Sequence, residues 1–183
     1  MFEFSKIKIK YKHKGFTLIE LLVVLGLIGL LSAALAPPLI NWIQQKKVTE
    51  ATNHFVQRLH YAREKAIATS SMTKVDYIYI KGVGVQLQQM VEEIPSGTMN
   101  CAGVQFITDP DLPQIEYLYG DKDITISPVG ANICFYSHGG SMELTIEIAD
   151  VTSADSNKRK IQIYGATGYI ETFTWKDNEW KIQ

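Results

Sequence analysis

Lys14-Gly15-Phe16-Thr17-Leu18-Ile19-Glu20, followed directly by LLVVLGLIGLLSAALA at 21–36, is the stretch on which the reading of this 183-residue chain turns. From Phe16 to Ala36 the chain is nearly uninterrupted in its apolar character, and Glu20 is the only charged side chain between Phe16 and Asn41. About 20 helical residues cross the ~30 Å hydrocarbon core of a bilayer, so 16–36 is expected to form a transmembrane helix. A soluble core could bury a helix that is apolar all round, but a chain of this size has no core large enough to enclose one. Five lysines (Lys6, Lys8, Lys10, Lys12 and Lys14) precede the run, and only Lys46 and Lys47 follow it closely. The excess of positive charge before the span places the N-terminus in the cytoplasm and everything after the helix across the membrane.

A secretory signal peptide is the competing reading, because Ala34-Leu35-Ala36 has the A-x-A form of a cleavage site. The apolar run is longer than such signals carry, and Pro37-Pro38 would follow the cut directly. Glu20 also needs a reason to exist. An acid within a spanning helix costs several kcal/mol, and such residues usually mark function. Cleavage after Gly15 would create an α-amino group on Phe16, one helical turn from Glu20 and largely positive at neutral pH. The basic leader, Gly15, Phe16 and the acid at the fifth position after the cut together resemble the type III signal of type IV prepilins and pseudopilins. That resemblance implies a prepilin peptidase that cuts between Gly15 and Phe16, N-methylation of Phe16, and assembly through Glu20 paired with a neighbour's N-terminal amine.

Beyond Pro37-Pro38, which are expected to kink or locally melt the helix, the apolar period returns. Val48, Ala51, Phe55, Leu59, Ala62 and Ala66 recur at spacings of three and four, which is one stripe of an amphipathic helix. After Ser71 the period becomes two. Strand-like runs lie at 75–80, 83–88, 104–108, 115–119, 124–127, 133–136, 142–149, 160–164 and 169–175, separated by Gly82, Gly97, Gly103, Gly120, Gly139-Gly140 and Gly165. With no helix-length connection between them, the runs pair as antiparallel hairpins. The expected organisation is a leader at 1–15, a transmembrane helix at 16–36, its continuation at 37–72 and an exported β-rich domain at 73–183. The fold class is α+β: one long helix, about 80 Å at 1.5 Å per residue, whose second half packs on antiparallel sheets.

Three segments of the exported part are similar to the GspH/FimT subgroup of pilin-like proteins: Ala62-Arg63-Glu64-Lys65-Ala66-Ile67, Ile133-Cys134-Phe135 with Gly139, and Ile161-Gln162-Ile163 through Thr167-Gly168. The resemblance implies a non-enzymatic minor subunit of a filament anchored in the bacterial inner membrane, with its domain in the periplasm and other pseudopilins or pilins as its partners. An H-type pseudopilin of type II secretion is the leading reading. A FimT/FimU-type minor type IV pilin, serving pilus assembly, motility, adhesion or DNA uptake, is the alternative.

Other chemistries find little footing. From Trp42 onward the chain holds 13 basic and 17 acidic residues, net −4, a poor general match to phosphate backbones. Where FimT relatives that bind DNA carry Gly-Arg-x-Arg, this chain reads Gly168-Tyr169-Ile170-Glu171, so DNA is not expected as a partner. Lys158-Arg159-Lys160 reads as a solvated hairpin turn. Asp109, Asp111, Asp121 and Asp123 lie among prolines and a glycine and read as turn formers; no metal and no cofactor are expected. His54 and His60 read as helix-surface residues, and His138 as a turn residue. No nucleophile motif suggests catalysis. Cys101 and Cys134 are a candidate disulfide in an oxidising compartment, worth ~3–4 kcal/mol if unstrained; alternatively, Cys134 is simply a small core residue.

Overall fold

The computed structural model describes residues 15–80, 83–95, 100–112, 115–118, 124–151 and 157–183; of 34–38, 41 and 117 it describes the backbone alone. The leader up to Lys14 and the expected turn glycines Gly82, Gly97 and Gly120 lie outside the described residues. Helix α1 covers Leu18–Thr69. Its helical assignment is continuous across positions 37 and 38, so the local melting expected as one outcome of the two prolines is not seen. The chain divides into two compact units, Met1–Ile40 and Asn41–Gln183.

In the first unit every described side chain from Leu18 to Ala33 is exposed. In the second unit α1 is amphipathic. Val48, Ala51, Phe55, Leu59, Ala62 and Ala66 are all at most 1% exposed, which is the stripe read from the sequence. The helix stops where Ser70 enters the left-handed region (φ 51°) and the Ser71 N–H donates to the Ala66 carbonyl at 3.2 Å, a left-handed C-cap made by serine where glycine is usual.

Among the described residues ten strands follow: β1 Thr73–Ile80, β2 Gly84–Glu92, β3 Phe106–Thr108, β4 Glu116–Tyr117, β5 Ile124–Ser127, β6 Gly130–Phe135, β7 Leu144–Asp150, β8 Lys158–Tyr164, β9 Tyr169–Lys176 and β10 Glu179–Ile182. They form two antiparallel sheets. One has the order β3-β2-β1-β6 with β4 also on β2; the other runs β10-β9-β8-β7-β5. The helix stripe meets both in one core, which includes Val75, Tyr77, Leu87, Ile133 and Phe135 of the first sheet and Ile146, Ile148, Ile161 and Ile163 of the second. Phe55 packs edge-on against Tyr77 with ring centroids 5.3 Å apart, and burial pushes the Tyr77 hydroxyl up to about 12.

Several strand assignments differ from the sequence reading. β10 was not expected; it is made possible by Asp177 and Asn178, both left-handed (φ 54° and 65°), the two-residue turn that suits tight hairpins. Among the described residues β3 and β4 hold three and two residues of the runs at 104–108 and 115–119, and each pairs with β2. Lys158, Arg159 and Lys160 are not a turn but the first residues of β8.

Candidate functional site

The N-terminal signal residues have a defined geometry. Thr17 is the residue before α1, and Glu20 is its third residue. The Thr17 N–H and hydroxyl both donate to Glu20 Oε2 at 2.8 Å, while the Glu20 N–H donates to Thr17 Oγ1 at 3.3 Å. This is the reciprocal capping box, in which a side chain at each end satisfies the other's orphan N–H. The acid therefore has a local role at the helix start that sequence reasoning missed, although the Thr-x-x-Glu spacing announces it. A carboxylate has about four acceptor positions, so capping leaves room for a further donor. Phe16, beside it, is 86% exposed. At Gly15 a Cβ would meet nothing within 4 Å among the described residues. Among the described residues no helix is long and apolar enough to cross a membrane. The apolar run expected to do so extends to Ala36, and within that run side chains are described only as far as Ala33.

The three segments that carry the subgroup resemblance converge at one place in the second unit. Arg63 Nε donates to the Gly139 carbonyl at 3.0 Å, and its Nη2 donates to the Thr167 carbonyl at 3.1 Å. Gly168 is left-handed (φ 62°), and a Cβ there would sit 2.1 Å from the Gly139 carbonyl oxygen. One guanidinium thus ties the end of α1 to the turn after β6 and to the β8–β9 turn, and glycine is what lets the two turns close on each other.

Two further cations on α1 are tied to the strands. Arg58 makes a two-pronged ion pair with Glu116 of β4, and His54, one turn back, lies 3.3 Å from the same carboxylate. Lys65 pairs with Asp109 and Asp111, the latter at 2.7 Å. Asp109 is fully buried and also accepts from the Gln89 amide at 2.7 Å and from the Asp111 N–H at 3.0 Å. Partial burial works against the Lys65 charge, but its hydrogen bonds to Asp109 and Asp111 outweigh that, and its pKa is raised. Asp109 and Asp111 do form a turn, as read, yet they also anchor it to the helix. Asp121 and Asp123 lie outside the described residues. Among the described residues no group of His, Cys, Asp and Glu could hold a metal ion.

Cys101 and Cys134 are bonded, with Cα atoms 6.3 Å apart. Cys134, on β6, is fully buried, so it is both a small core residue and a bridge. At the hairpin compared above with DNA-binding relatives, the Tyr164 hydroxyl donates to Glu171 at 2.7 Å and the Tyr164 and Tyr169 rings are 5.9 Å apart. The hydrogen bond to Glu171 raises the Tyr164 pKa. These positions present phenols and a carboxylate, the opposite of an arginine pair. Arg159, on β8, turns inward and donates to Thr49 Oγ1 at 3.1 Å, and its burial lowers its pKa. His138 stacks on Tyr136 at 5.7 Å in the turn before Gly139.

Residues 10–36 match the prokaryotic N-terminal methylation motif. That signal stands at the head of a helix that continues into an α+β unit of two antiparallel sheets. Two solved structures are similar to this chain. One is the minor pseudopilin EpsH from the type 2 secretion system of Vibrio cholerae, at 16% identity and TM-score 0.46, with 68% of this chain and 97% of that one covered. The other is the type IV minor pilin FimU of Pseudomonas aeruginosa, at 15% identity and TM-score 0.47, with 79% and 97% covered. Neither decides between the two systems. No curated protein matches the sequence significantly.

Proposed function

We propose that the chain is a structural minor pseudopilin of the H type in a type II secretion system. It is made with a basic leader, cut by the prepilin peptidase between Gly15 and Phe16, and N-methylated on Phe16. It is held in the inner membrane by the helix at 16–36, with its β-rich domain in the periplasm. The observation that supports the processed, membrane-anchored filament subunit in this reading is the N-terminal geometry within the methylation motif. Among the described residues nothing crowds a Cβ at Gly15, Phe16 is exposed, and the Glu20 carboxylate is fixed one turn away. A peptidase that needs a small residue before the cut supplies a reason for Gly15. The amine released on Phe16 supplies a partner for a neighbour's Glu20, which offsets the cost of the acid in lipid.

A minor type IV pilin is the second reading, and the same N-terminal residues favour it equally. Its DNA-uptake version is disfavoured by Tyr164, Tyr169 and Glu171 at the hairpin where arginines would be needed. Deleting the gene discriminates between the two. The secretion reading expects exported enzymes to be trapped in the periplasm while twitching motility and transformation stay near normal. Normal secretion with loss of surface pili would replace it with the pilin reading.

A further inference from the structure

Strand register and helix rise put all three tryptophans of the chain toward the Asn41 end of the second unit. Two arginine contacts fix the direction of the β8–β9 hairpin along the helix. Arg63 reaches Thr167 at the hairpin tip, and Arg159 reaches Thr49. From Thr49 to Arg63 the helix rises about 21 Å, and from Arg159 to the tip β8 covers about 20–26 Å, so strand and helix run side by side. Thr174 of β9 stands opposite Arg159. The Asp177-Asn178 turn lies about 10 Å further on, which matches the ~10 Å of helix from Thr49 back to Trp42. Trp175 and Trp180 are cross-strand partners just before that turn, packed edge to face at 5.1 Å. Trp42 is 56% exposed, with the Lys46 ammonium 5.7 Å from its ring. Lys160 lies 5.2 Å from the Trp180 ring, and Lys176 flanks the turn. Asp177 and Glu179 are at the same end, where both pair with Lys181.

We propose that this end is a membrane-contact surface that rests on the phospholipid headgroups of the outer leaflet before assembly. The inference depends on the anchor reading above. Tryptophan rings with nearby cations are the side chains that settle at the lipid–water boundary, with the ring at headgroup level and the ammonium toward phosphate. Trp42 follows Phe16 by 26 residues, about 39 Å of helix, close to the ~40–45 Å of a bilayer with its headgroups. At that distance from Phe16, Trp42 falls at the headgroup layer on the far side of the span.

The test uses the mature full chain in vesicles of phosphatidylethanolamine and phosphatidylglycerol. Single-tryptophan variants keep Trp42, Trp175 or Trp180, with the others replaced by Phe; a control variant carries all three Trp→Phe changes and Tyr136→Trp at the opposite end. Lipids brominated near the headgroup should quench each native tryptophan several-fold more than the control. Equal quenching of Trp175, Trp180 and the control in chains that float with the vesicles overturns the surface and leaves the anchor standing. Chains that do not float with the vesicles overturn both. A far-ultraviolet spectrum matching the parent is required of each variant, and where a triple replacement fails to fold, Trp175→Phe with Trp180→Phe in the otherwise native chain gives the same comparison by difference.

Discussion

The two stretches of α1, 18–33 and 48–66, are both rich in apolar residues, yet the first has every described side chain exposed and the second hides six positions almost completely. The difference is period, not composition. Apolar residues on all sides of a helix cannot be covered by one sheet and must be satisfied by lipid or by other helices. A stripe at spacings of three and four is satisfied by the chain's own strands. One stretch is thus built for partners and the other for self-sufficiency, and the comparison can be attacked from either side.

The largest expected effect is at the boundary of the partner-dependent stretch. Gly15→Leu should abolish processing, so that intact mass shows only precursor and no N-methyl-Phe16; a normal mature N-terminus would remove the peptidase from the account. Next, Glu20→Leu should insert into membranes as well as the parent or better, because a buried acid is lost, while its incorporation into filaments falls sharply. The capping box predicts only about 1 kcal/mol of helix-start stability at stake, so a variant that assembles normally would mean that capping is the whole role of the acid. In the self-sufficient stretch, Phe55→Ala should destabilise the second unit by roughly 3–5 kcal/mol in denaturant titrations, with membrane insertion unchanged. A loss below about 1 kcal/mol would show that the stripe is not what holds the unit together.

The smallest effect is in pH. The folded pKa of Lys65 lies above its ordinary 10.5. Its contribution to stability is therefore complete below that value and is lost as pH rises through the folded pKa. Denaturation midpoints measured between about pH 9 and about pH 12 should fall further for the parent than for Lys65→Met, and parallel curves would mean that the Asp109 pairing contributes nothing.

What was legible in the sequence follows the same division. The stripe from Val48 to Ala66 and most strands were readable because their signal is local and periodic. The pairing of β1 with β6, the convergence of Arg63 with Gly139 and Thr167, and the pairing of Arg58 and Lys65 with Glu116 and Asp109 were not, since each joins residues far apart in the chain. Arg58 and Lys65 stand beside the stripe yet are partly covered, because a long side chain at the margin of a packed face can reach over it to an acid. His54 is a helix-surface residue, as read, that also meets Glu116. The two missed elements with local signals, the Thr17–Glu20 box and the Asp177-Asn178 turn, carried them in plain spacing. The methylation signal was the most legible feature of all, since an enzyme must read it as sequence.

Arg63 and Arg159 hold α1 to one hairpin at two levels, with the core residues Phe55, Leu59 and Ala62 between them. Because β8 and α1 run side by side, a pull along the helix strains both clamps and the packed side chains between them at the same moment. A sideways pull would strain one clamp first and peel the rest in turn. Under the filament reading proposed above, a subunit lifted by its helix would be loaded in the direction in which its domain yields last.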